Sequence, residues 1–207
     1  NITNELINIL QFSSSNFHPP FRYINDATAF AMGETWCGAG SRFKRAVALT
    51  LGTGFGSAFL ENGSPVTSGD DVPIDGCMWH LPFGDGIADD SLSVRWFIGE
   101  YEKQVGGIVN SVEEMAKAAA NNAEILNIFR QYGRNMGMVI RDHVRKFKAD
   151  GIVLGGSISK AYPLFGSELE MQLAEIGCTI PIVLSSLGEN AAILGSAGLF
   201  REKRKNQ

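Results

Sequence analysis

The sequence predicts an α/β fold with helices packed on both faces of a central sheet. Short, almost wholly apolar runs of strand length, such as Arg45–Leu51 and residues 152–154, alternate with longer segments that carry apolar residues at helical spacing. A strand that is apolar at nearly every position is typical of a sheet buried on both sides. Strands followed by helices in this alternation therefore indicate one layer of sheet between two layers of helix.

The N-terminal part of the sequence predicts three elements around a polar stretch. A short helix is predicted over residues 2–10, and the polar stretch after it leads into Pro19 and Pro20, where a helix cannot continue. A strand is predicted over residues 21–24, and an alanine-rich helix over residues 27–36. The paired prolines suggest a crossing between two structural units.

A β-hairpin with a glycine-rich bend is predicted next. Glycines at positions 52, 54 and 56 interrupt the strand Arg45–Leu51, which resumes over residues 57–60 before a turn at residues 61–63. Residues 63–90 are rich in Gly, Asp and Pro, so we expect mostly loop there.

Helices dominate the prediction from Ser91 onwards. Ser111 and Glu114 form a capping-box pattern that opens a helix over residues 115–120. A longer amphipathic helix is predicted over residues 124–148 and is expected to end at Gly151. Its apolar stripe consists of Ile125, Ile128, Phe129, Tyr132, Met136, Val139, Ile140, Val144 and Phe147. The predicted elements that close the chain are a strand at 152–154, a helix at 160–176, a strand at 180–184 and a helix at 190–203.

The composition is that of an ordinary globular protein and argues against several kinds of function. The chain has 207 residues, of which 44% are hydrophobic and 19% charged, enough for one domain or two small ones. A formal net charge of −4 does not favour nucleic acid as a partner. No apolar stretch reaches the roughly 18 residues of a membrane span, and no signal peptide opens the sequence.

The three cysteines, Cys37, Cys77 and Cys178, are widely spaced and odd in number. This spacing argues against a disulfide framework and against a structural zinc site. A reduced, cytoplasmic location is the simplest interpretation. The sequence begins with Asn1 rather than Met, which is consistent with a missing N-terminus.

Residues 51–56, with the sequence LGTGFG, are the first segment suited to a ligand. Glycines at every second position let backbone N–H groups approach an anion, and Thr53 adds a hydroxyl donor. The segment is not a Walker-type phosphate loop, because no G-K-[ST] follows, and not a dinucleotide-binding fingerprint, because the next element is a strand. A tight hairpin without a ligand is the alternative.

Two other segments combine polar residues with the end of a strand. Residues 155–159, GGSIS, could seat a phosphate or ribose at a helix N-terminus, or could simply cap that helix through Ser157 or Ser159. Asn25 and Asp26 stand between a predicted strand and a helix, where open α/β sheets place catalytic carboxylates. Asp26 could equally be the N-cap of the helix.

Together these segments resemble the ROK family, which groups sugar kinases with related transcriptional repressors in the actin-like ATPase superfamily. The resemblance is carried by INDA at 24–27 with Gly33 and Glu34, and by residues 51–59, 152–159 and 188–197. These segments follow the family order and span almost the whole chain. The resemblance implies an α/β fold of the actin-like ATPase (ribonuclease H-like) type, a lobe with a β-hairpin and helices on both sheet faces.

The resemblance also implies a function, the ATP-dependent phosphorylation of a glucose-like hexose at its 6-hydroxyl. Asp26 would be the general base, and Asn25 would bind a ring hydroxyl of the sugar. The phosphates of ATP would be held by Gly52, Thr53 and Gly54, and the adenosine would be flanked by Gly155 and Gly156. Ser157 would also belong to the nucleotide site. Mg²⁺ would neutralise phosphate charge. A homodimer is expected, with neither nucleic acid nor membrane as a partner.

One departure from the family pattern concerns the N-terminus. ROK kinases carry a D-x-G-G-T phosphate loop upstream of the Asn-Asp pair, and this sequence has none. We therefore expect residues 1–24 to be the end of a first lobe with a crossing segment, and residues 25–207 to be the C-terminal sugar- and nucleotide-binding lobe. The chain alone is expected to bind sugar and ATP weakly and to be inactive.

A second departure lies around His80. Family members usually have E-x-G-H here, with Glu and His contacting the sugar and the His often opening a zinc site completed by a cysteine cluster. In this sequence Cys77 occupies the glutamate position and the cysteine cluster is missing, so no zinc is expected. His80 is a predicted sugar contact, with a purely structural histidine as the alternative. Asp75 or Asp85 could replace the lost carboxylate.

Two other functions remain compatible with the resemblance. The chain could be the sugar-sensing effector domain of a ROK-type repressor, or a non-catalytic lobe kept for structure or dimerisation. No helix-turn-helix is visible in the sequence. Asp26 favours the kinase, because a sensor does not need a general base.

Overall fold

The computed structural model describes residues 21–200 and shows a central sheet with helices on both faces. In chain order the elements are α1 (Asp26–Cys37), β1 (Arg45–Leu51), β2 (Phe55–Glu61), β3 (Ser64–Pro65), a 3₁₀ helix (Ile74–Gly76), β4 (Pro82–Phe83), β5 (Gly86–Ile87), α2 (Ala88–Leu92), α3 (Val94–Gln104), α4 (Val112–Ala118), α5 (Ala123–Phe147), β6 (Gly151–Gly155), a second 3₁₀ helix (Ile158–Ala161), α6 (Tyr162–Ala174), β7 (Ile182–Leu184) and α7 (Asn190–Gly198). The predicted α/β class is confirmed.

The main sheet has five strands in the order β3-β2-β1-β6-β7. The hairpin β1–β2 is antiparallel, with Leu51 opposite Phe55, whereas β6 and β7 extend the sheet in parallel with β1. Thr50 lies opposite Gly155, and Leu154 opposite Leu184. The carboxyl ends of β1, β6 and β7 therefore meet at one edge of the sheet, where open α/β sheets bind ligands.

Alternating side chains of the strands enter two separate cores. One face packs against α5 through large residues, namely Val47, Leu49, Leu51, Phe55, Phe59, Ile152 and Leu154. The other face is lined by smaller residues, among them Ala46, Ala48, Ala58 and Val153, and is covered by Phe30 and Ala31 of α1 and Ala191 of α7. Each strand thus separates two hydrophobic layers, which explains why its sequence is apolar at nearly every position.

Helices α1 and α7 cross in close contact on the small-residue face. A Cβ added at Gly195 would lie 1.8 Å from the carbonyl oxygen of Ala29, and one added at Gly33 would lie 2.0 Å from that of Ala191. Glycine is therefore required at both positions for the two backbones to touch. This contact fixes α1, and with it the residues at its N-terminus, against the sheet.

Helix α5 confirms the amphipathic prediction, since all nine residues of its predicted stripe are buried. Asn122 caps its start through Oδ1, which accepts from the backbone N–H groups of Glu124 and Ile125. The predicted range, residues 124–148, is confirmed to within one residue at each end, but Gly151 is not the residue that stops the helix. Lys148 adopts the left-handed conformation, with φ of 53°, and ends the helix three residues earlier, so that Gly151 begins β6.

Other predicted boundaries shift at the ends of elements. The predicted strand at residues 21–24 is wrong: Arg22 is not in a β ladder but donates to the carbonyl of Leu199 and stacks over the Phe200 ring, 5.2 Å from its centroid. The helix predicted from residue 160 starts as a 3₁₀ turn before α6. The predicted helix at residues 2–10 and the part of the last helix beyond residue 200 lie outside the described residues. No helix between residues 21 and 200 has both the length and the apolar character that a membrane crossing needs.

Candidate active site

Asn25 and Asp26 lie at the start of α1, and their side chains have different partners. Asn25 is the N-cap, and its Oδ1 accepts from the N–H groups of Ala27 at 3.0 Å and Thr28 at 3.2 Å. Asp26 is the first helical residue, and its Oδ1 accepts from Ala27 at 2.8 Å. The interpretation of Asp26 as the cap is therefore wrong. Its exposed carboxylate keeps Oδ2 without a hydrogen-bond partner among residues 21–200.

The start of α1 reaches the hairpin because residue 56 has no side chain. A Cβ added at Gly56 would lie 2.2 Å from Oγ1 of Thr50 and 2.9 Å from Cβ of Ala27. Any larger residue would push the first turn of α1 away from β1 and β2. The third glycine of the LGTGFG segment thus places Asp26 beside the hairpin bend.

A cleft of about 290 Å³ opens between α1, the hairpin and the segment after β3. It is lined by Asn25, Asp26, Ala27, Thr50, Gly54, Phe55, Gly56, Ser57, Cys77, Trp79 and Asp89. The structure therefore brings together three residues that the sequence predicted for the sugar and phosphate sites, Asn25, Asp26 and Gly54. Cys77, Trp79 and Asp89 add side chains that were not predicted as ligands.

Ser57 holds the segment that carries Cys77 and Trp79. Its hydroxyl donates to the carbonyl of Gly76 at 2.8 Å and accepts from the N–H of Met78 at 2.9 Å. Burial raises the pKa of the Cys77 thiol, and the nearby carboxylates of Asp75 and Asp26 raise it further. Cys77 is therefore neutral at neutral pH, unlike the glutamate that occupies its position in the family pattern.

His80 is not among the residues that line the cleft. It is exposed and packs edge-on against Trp79, with 5.3 Å between ring centroids. Trp79 itself is 48% exposed and faces the cleft. Asp75 and Asp85, the predicted substitutes for the glutamate, are also absent from the lining, whereas Asp89 is present. Contact of His80 with a sugar stays a prediction.

Asp89 joins the cleft to the hairpin bend. Its Oδ1 accepts from the N–H of Phe55 at 2.6 Å, and its Oδ2 accepts from the guanidinium of Arg95 at 2.7 Å. Sequence reasoning missed this residue, because Asp89 lies 34 positions from Phe55 in a loop-rich region. Asp89 and Asp90 lie in the first turn of α2, but the sequence predicts residues 63–90 mostly as loop and so gave no hint of a site there.

The hairpin bend, residues 52–54, lies between this cleft and a second cavity. Gly54 lines the cleft, and the N–H of Gly52 donates to its carbonyl at 3.2 Å. The carbonyl of Gly52 accepts from Val94 at 2.9 Å, and a Cβ on Gly52 would lie 3.9 Å from Oγ of Ser157. Thr53 is exposed at the tip.

The second cavity has a volume of about 490 Å³ and is built from the start of α3, α4 and the segment after β6. It is lined by Val94, Asn110, Ser111, Val112, Glu113, Ala116, Lys117, Ser157, Lys160, Ala161, Pro163 and Leu164. Of the three nucleotide-site residues predicted at positions 155–157, Ser157 lines it. Gly155 faces Phe30, and Gly156, with φ of 86°, passes so close to Leu51 that a Cβ would lie 2.3 Å from its carbonyl oxygen.

The cleft offers carboxylate oxygens but no ready-made metal site in the described part of the chain. Among residues 21–200 no three or more His, Cys, Asp or Glu side chains are grouped to hold a metal ion. Asp26 and Asp89 nevertheless place two carboxylates in one cleft. Mg²⁺ is commonly bound through one or two carboxylates, with phosphate oxygens and water completing its shell.

The sheet order and the two cavities at the carboxyl edge define the class of protein. The fold is that of an actin-like ATPase lobe, in which a β-hairpin precedes the parallel strands. The solved structure of a ROK family glucokinase from Streptomyces griseus, in complex with glucose and AMPPNP, has this fold, with a TM-score of 0.72, 19% identity and coverage of 95% of this chain and 71% of that one. The model of the ROK family matches residues 1–83 and 90–203, and the chain belongs to this family.

Proteins similar to this chain include a kinase and a repressor. A glucokinase of Thermotoga maritima is 28% identical in a match that covers 86% of this chain and 65% of that protein. A xylose repressor of Bacillus spizizenii is 23% identical in a match that covers 95% of this chain and 54% of that protein. The chain thus spans less than two thirds of the length of either relative.

Proposed function

We propose that the full-length protein containing this chain transfers the γ-phosphoryl group of ATP to the 6-hydroxyl of a hexose. The observation that supports this most is the position of the bend 52–54. It separates the cleft that holds Asp26 from the cavity that holds Ser157. A sugar in the cleft and a nucleoside in the cavity would therefore face each other across backbone N–H groups suited to phosphates.

Asp26 would act as the general base. As the sugar oxygen attacks the γ-phosphorus, the carboxylate takes the hydroxyl proton, the bond from phosphorus to the β–γ bridging oxygen breaks, and ADP leaves. The role needs a carboxylate not consumed by structure, and Asn25 supplies the helix cap in its place. A base in this position typically contributes about 10²–10⁴ in rate.

The nucleotide would lie along the bend and into the second cavity. Gly52, Thr53 and Gly54 would hold phosphates, and Ser157 would meet the ribose beside Gly155 and Gly156. Bound Mg²⁺ would neutralise the charge that the transferred phosphoryl group carries. Apolar atoms of Pro163 and Leu164 and polar atoms of Asn110 would face the base in the cavity.

Sugar binding would depend on groups that differ from the family pattern. Nδ2 of Asn25 is available to a ring hydroxyl, since only Oδ1 is used in capping. Trp79 offers an aromatic face, of the kind against which the apolar side of a sugar ring packs. His80 would contribute if the loop 74–80 moved toward the sugar.

The alternative proposal is a sugar-sensing effector domain, which the similarity to a xylose repressor supports. A sensor needs the cleft but neither Asp26 as a base nor the nucleotide cavity. Assembly as a homodimer and a cytoplasmic location also stay predictions.

A coupled assay for ADP release, run on the full-length protein with a panel of hexoses and MgATP, tests the proposal. We expect turnover with at least one hexose and 6-phosphorylated sugar as the product. Binding of a hexose without any ADP release across the panel would favour the sensor instead.

A further inference from the structure

We infer that Arg95 is a phosphate-binding residue of the nucleotide site, held at the glycine bend by Asp89. The inference rests on the proposed use of residues 52–54 as the phosphate site. It concerns a side chain outside the glycine segments, and it follows from the way in which the segment from Asp89 to Arg95 is tied to the bend.

Two hydrogen bonds tie this segment to the hairpin, one to the bend itself and one to Phe55 directly after it. Asp89 accepts from Phe55 at 2.6 Å on the side of the cleft, and Val94 donates to Gly52 at 2.9 Å on the side of the second cavity. The contact with Asp89 is close, since a Cβ on Gly54 would lie 3.1 Å from its Oδ1. Arg95 follows Val94 directly, so its side chain starts beside the bend.

The carboxylate alone would repel a phosphate at this place. Asp89 removes the N–H of Phe55 from the set of phosphate donors and puts a negative charge within hydrogen-bond distance of the bend. A site for a triphosphate built in this way needs a cation to offset that charge. Arg95 is that cation, because its guanidinium contacts the second oxygen of the same carboxylate at 2.7 Å.

Asp89 and Arg95 differ in exposure, and the surface that the pair presents to solvent is therefore positively charged. The side chain of Asp89 is 18% exposed, whereas that of Arg95 is 67% exposed. A guanidinium carries five N–H donors in a planar fork. Asp89 takes one through Nη2, so the outward face of the pair is a guanidinium with unused donors, the group that best matches phosphate geometry.

The position of Arg95 in α3 is unfavourable without an anion. It lies in the first turn of an 11-residue helix whose first turn contains no acidic residue and whose N-cap, Ser93, makes no side-chain capping bond. A cation near a helix N-terminus opposes the helix dipole. The negative charge of Asp89 offsets part of this repulsion between Arg95 and the helix dipole, and a bound phosphate would offset more of it.

The lysines of the second cavity are placed differently. Lys117 bonds Glu113 at 2.6 Å and lowers the pKa of that carboxyl, and the charge of Lys160 lowers it slightly further. The carboxylate nearest to these lysines therefore has no bond to the bend in the described part of the chain. Arg95, by contrast, shares its carboxylate partner with Phe55, the residue directly after the bend.

Arg95→Gln in the full-length protein tests the inference, with Arg145→Gln as the matched control. Arg145 is also an exposed arginine in a surface ion pair, with Asp142, and lies near the end of α5. Calorimetry would measure the affinity of each variant for MgATP, inorganic tripolyphosphate and adenosine. We expect Arg95→Gln to weaken MgATP and tripolyphosphate by roughly tenfold or more and to leave adenosine unchanged, with Arg95→Lys intermediate.

Three results would overturn the inference. The first is equal MgATP affinity in the Arg95→Gln and Arg145→Gln proteins. The second is a loss of adenosine affinity in the Arg95→Gln protein as large as its loss of MgATP affinity. The third is a wild-type protein that binds neither MgATP nor tripolyphosphate. Measuring hexose phosphorylation distinguishes failure of the Arg95 inference from failure of the proposed kinase function. Wild-type protein that binds MgATP through Arg95 but phosphorylates no hexose would contradict the kinase alone. Hexose phosphorylation that is insensitive to Arg95 would contradict the role of Arg95 alone.

Discussion

Adjacent side chains at the start of α1 carry different tasks because a helix needs only one cap. The side-chain oxygen of Asn25 accepts from the N–H groups of Ala27 and Thr28, whereas Oδ2 of Asp26 has no hydrogen-bond partner among residues 21–200. The Asn-Asp pair was predictable as a site from the sequence, but which member caps the helix was not. The two residues can exchange these roles when the chain enters the helix one residue earlier or later.

Cys77 offers a direct probe of the cleft at the residue scale. Its raised pKa leaves little thiolate at neutral pH, so alkylation should be slow and should accelerate as the pH rises. A bound hexose should slow the alkylation of Cys77, because this residue lines the cleft. Mass spectrometry of iodoacetamide-treated full-length protein, with and without the sugar, measures the effect.

Cys178 is the internal control for this experiment. It is also partly buried with a raised pKa, but it lines a different groove, between α6 and β7. We expect its labelling to be independent of the sugar. If a sugar that binds protects neither cysteine, the sugar does not lie in the cleft. If it protects both cysteines equally, the protection of Cys77 is not evidence for binding in the cleft.

Elements with strong periodicity were predicted well, and connecting segments were not. The hairpin strands and the apolar stripe of α5 follow from residue pattern alone, because burial on a sheet or on one helix face leaves a repeat in the sequence. The path of residues 63–87 leaves no such repeat. Trp79 enters the cleft because hydrogen bonds of Ser57 hold the neighbouring backbone, a tertiary contact that no local pattern predicts.

Glu34 connects α1 to the segment before α7. It is fully buried and accepts from Oγ of Ser185 at 2.5 Å and from the N–H groups of Leu187 and Ala39, each at 2.9 Å. Glu34→Gln would place an amide N–H₂ against these donors. We expect the free energy of unfolding to fall by roughly 2 kcal/mol, since buried donors lose their acceptor. Urea denaturation of the full-length protein measures this.

Glu102→Gln provides the comparison for Glu34. Glu102 is exposed on α3. Such surface changes usually stay within about 0.5 kcal/mol. Equal stability of the two variants would contradict a structural role for the buried carboxylate.

Gly56→Ala tests the contact between α1 and the hairpin. The new methyl group would meet Thr50 and Ala27 at distances no real Cβ tolerates, so the first turn of α1 must move. We expect a lower melting temperature and a kcat reduced by about tenfold or more, because small displacements of a catalytic base are costly. Turnover and thermal unfolding are the two measurements.

Gly99→Ala is the matched glycine variant. A Cβ at Gly99 would have no atom within 4 Å, and the residue lies inside α3. Alanine is favoured over glycine in a helix by up to about 1 kcal/mol, so this variant should be as stable as the wild type or more stable, with unchanged kcat. Similar losses in both glycine variants would mean that the loss at Gly56 does not come from its contacts.

At the scale of the whole molecule, the sheet brings the candidate site together from distant segments. The carboxyl ends of β1 and β6 place Gly52 beside Ser157, and the contact of α1 with the hairpin adds Asp26. The order of strands and helices predicted this edge of the sheet. Asp89 and Arg95 were not predicted, because their contacts depend on how the long connection after β3 folds back over the bend.

Metal removal tests the expectation that no zinc supports the fold. The three cysteines are free and none belongs to a metal-binding group within residues 21–200. We expect exhaustive chelation to leave the melting temperature and monodispersity of the full-length protein unchanged. Stoichiometric zinc in elemental analysis of the purified protein, lost together with stability on chelation, would contradict this.

Asp26→Asn in the full-length protein tests the central claim most directly. The amide keeps the size of the side chain but cannot accept the sugar proton. We expect kcat to fall by about two orders of magnitude or more, with the affinity for the hexose within a few-fold of the wild type. Asp70→Asn, at an exposed position outside the cleft lining, should leave both unchanged. A kcat of the Asp26 variant close to that of the wild type would contradict the account.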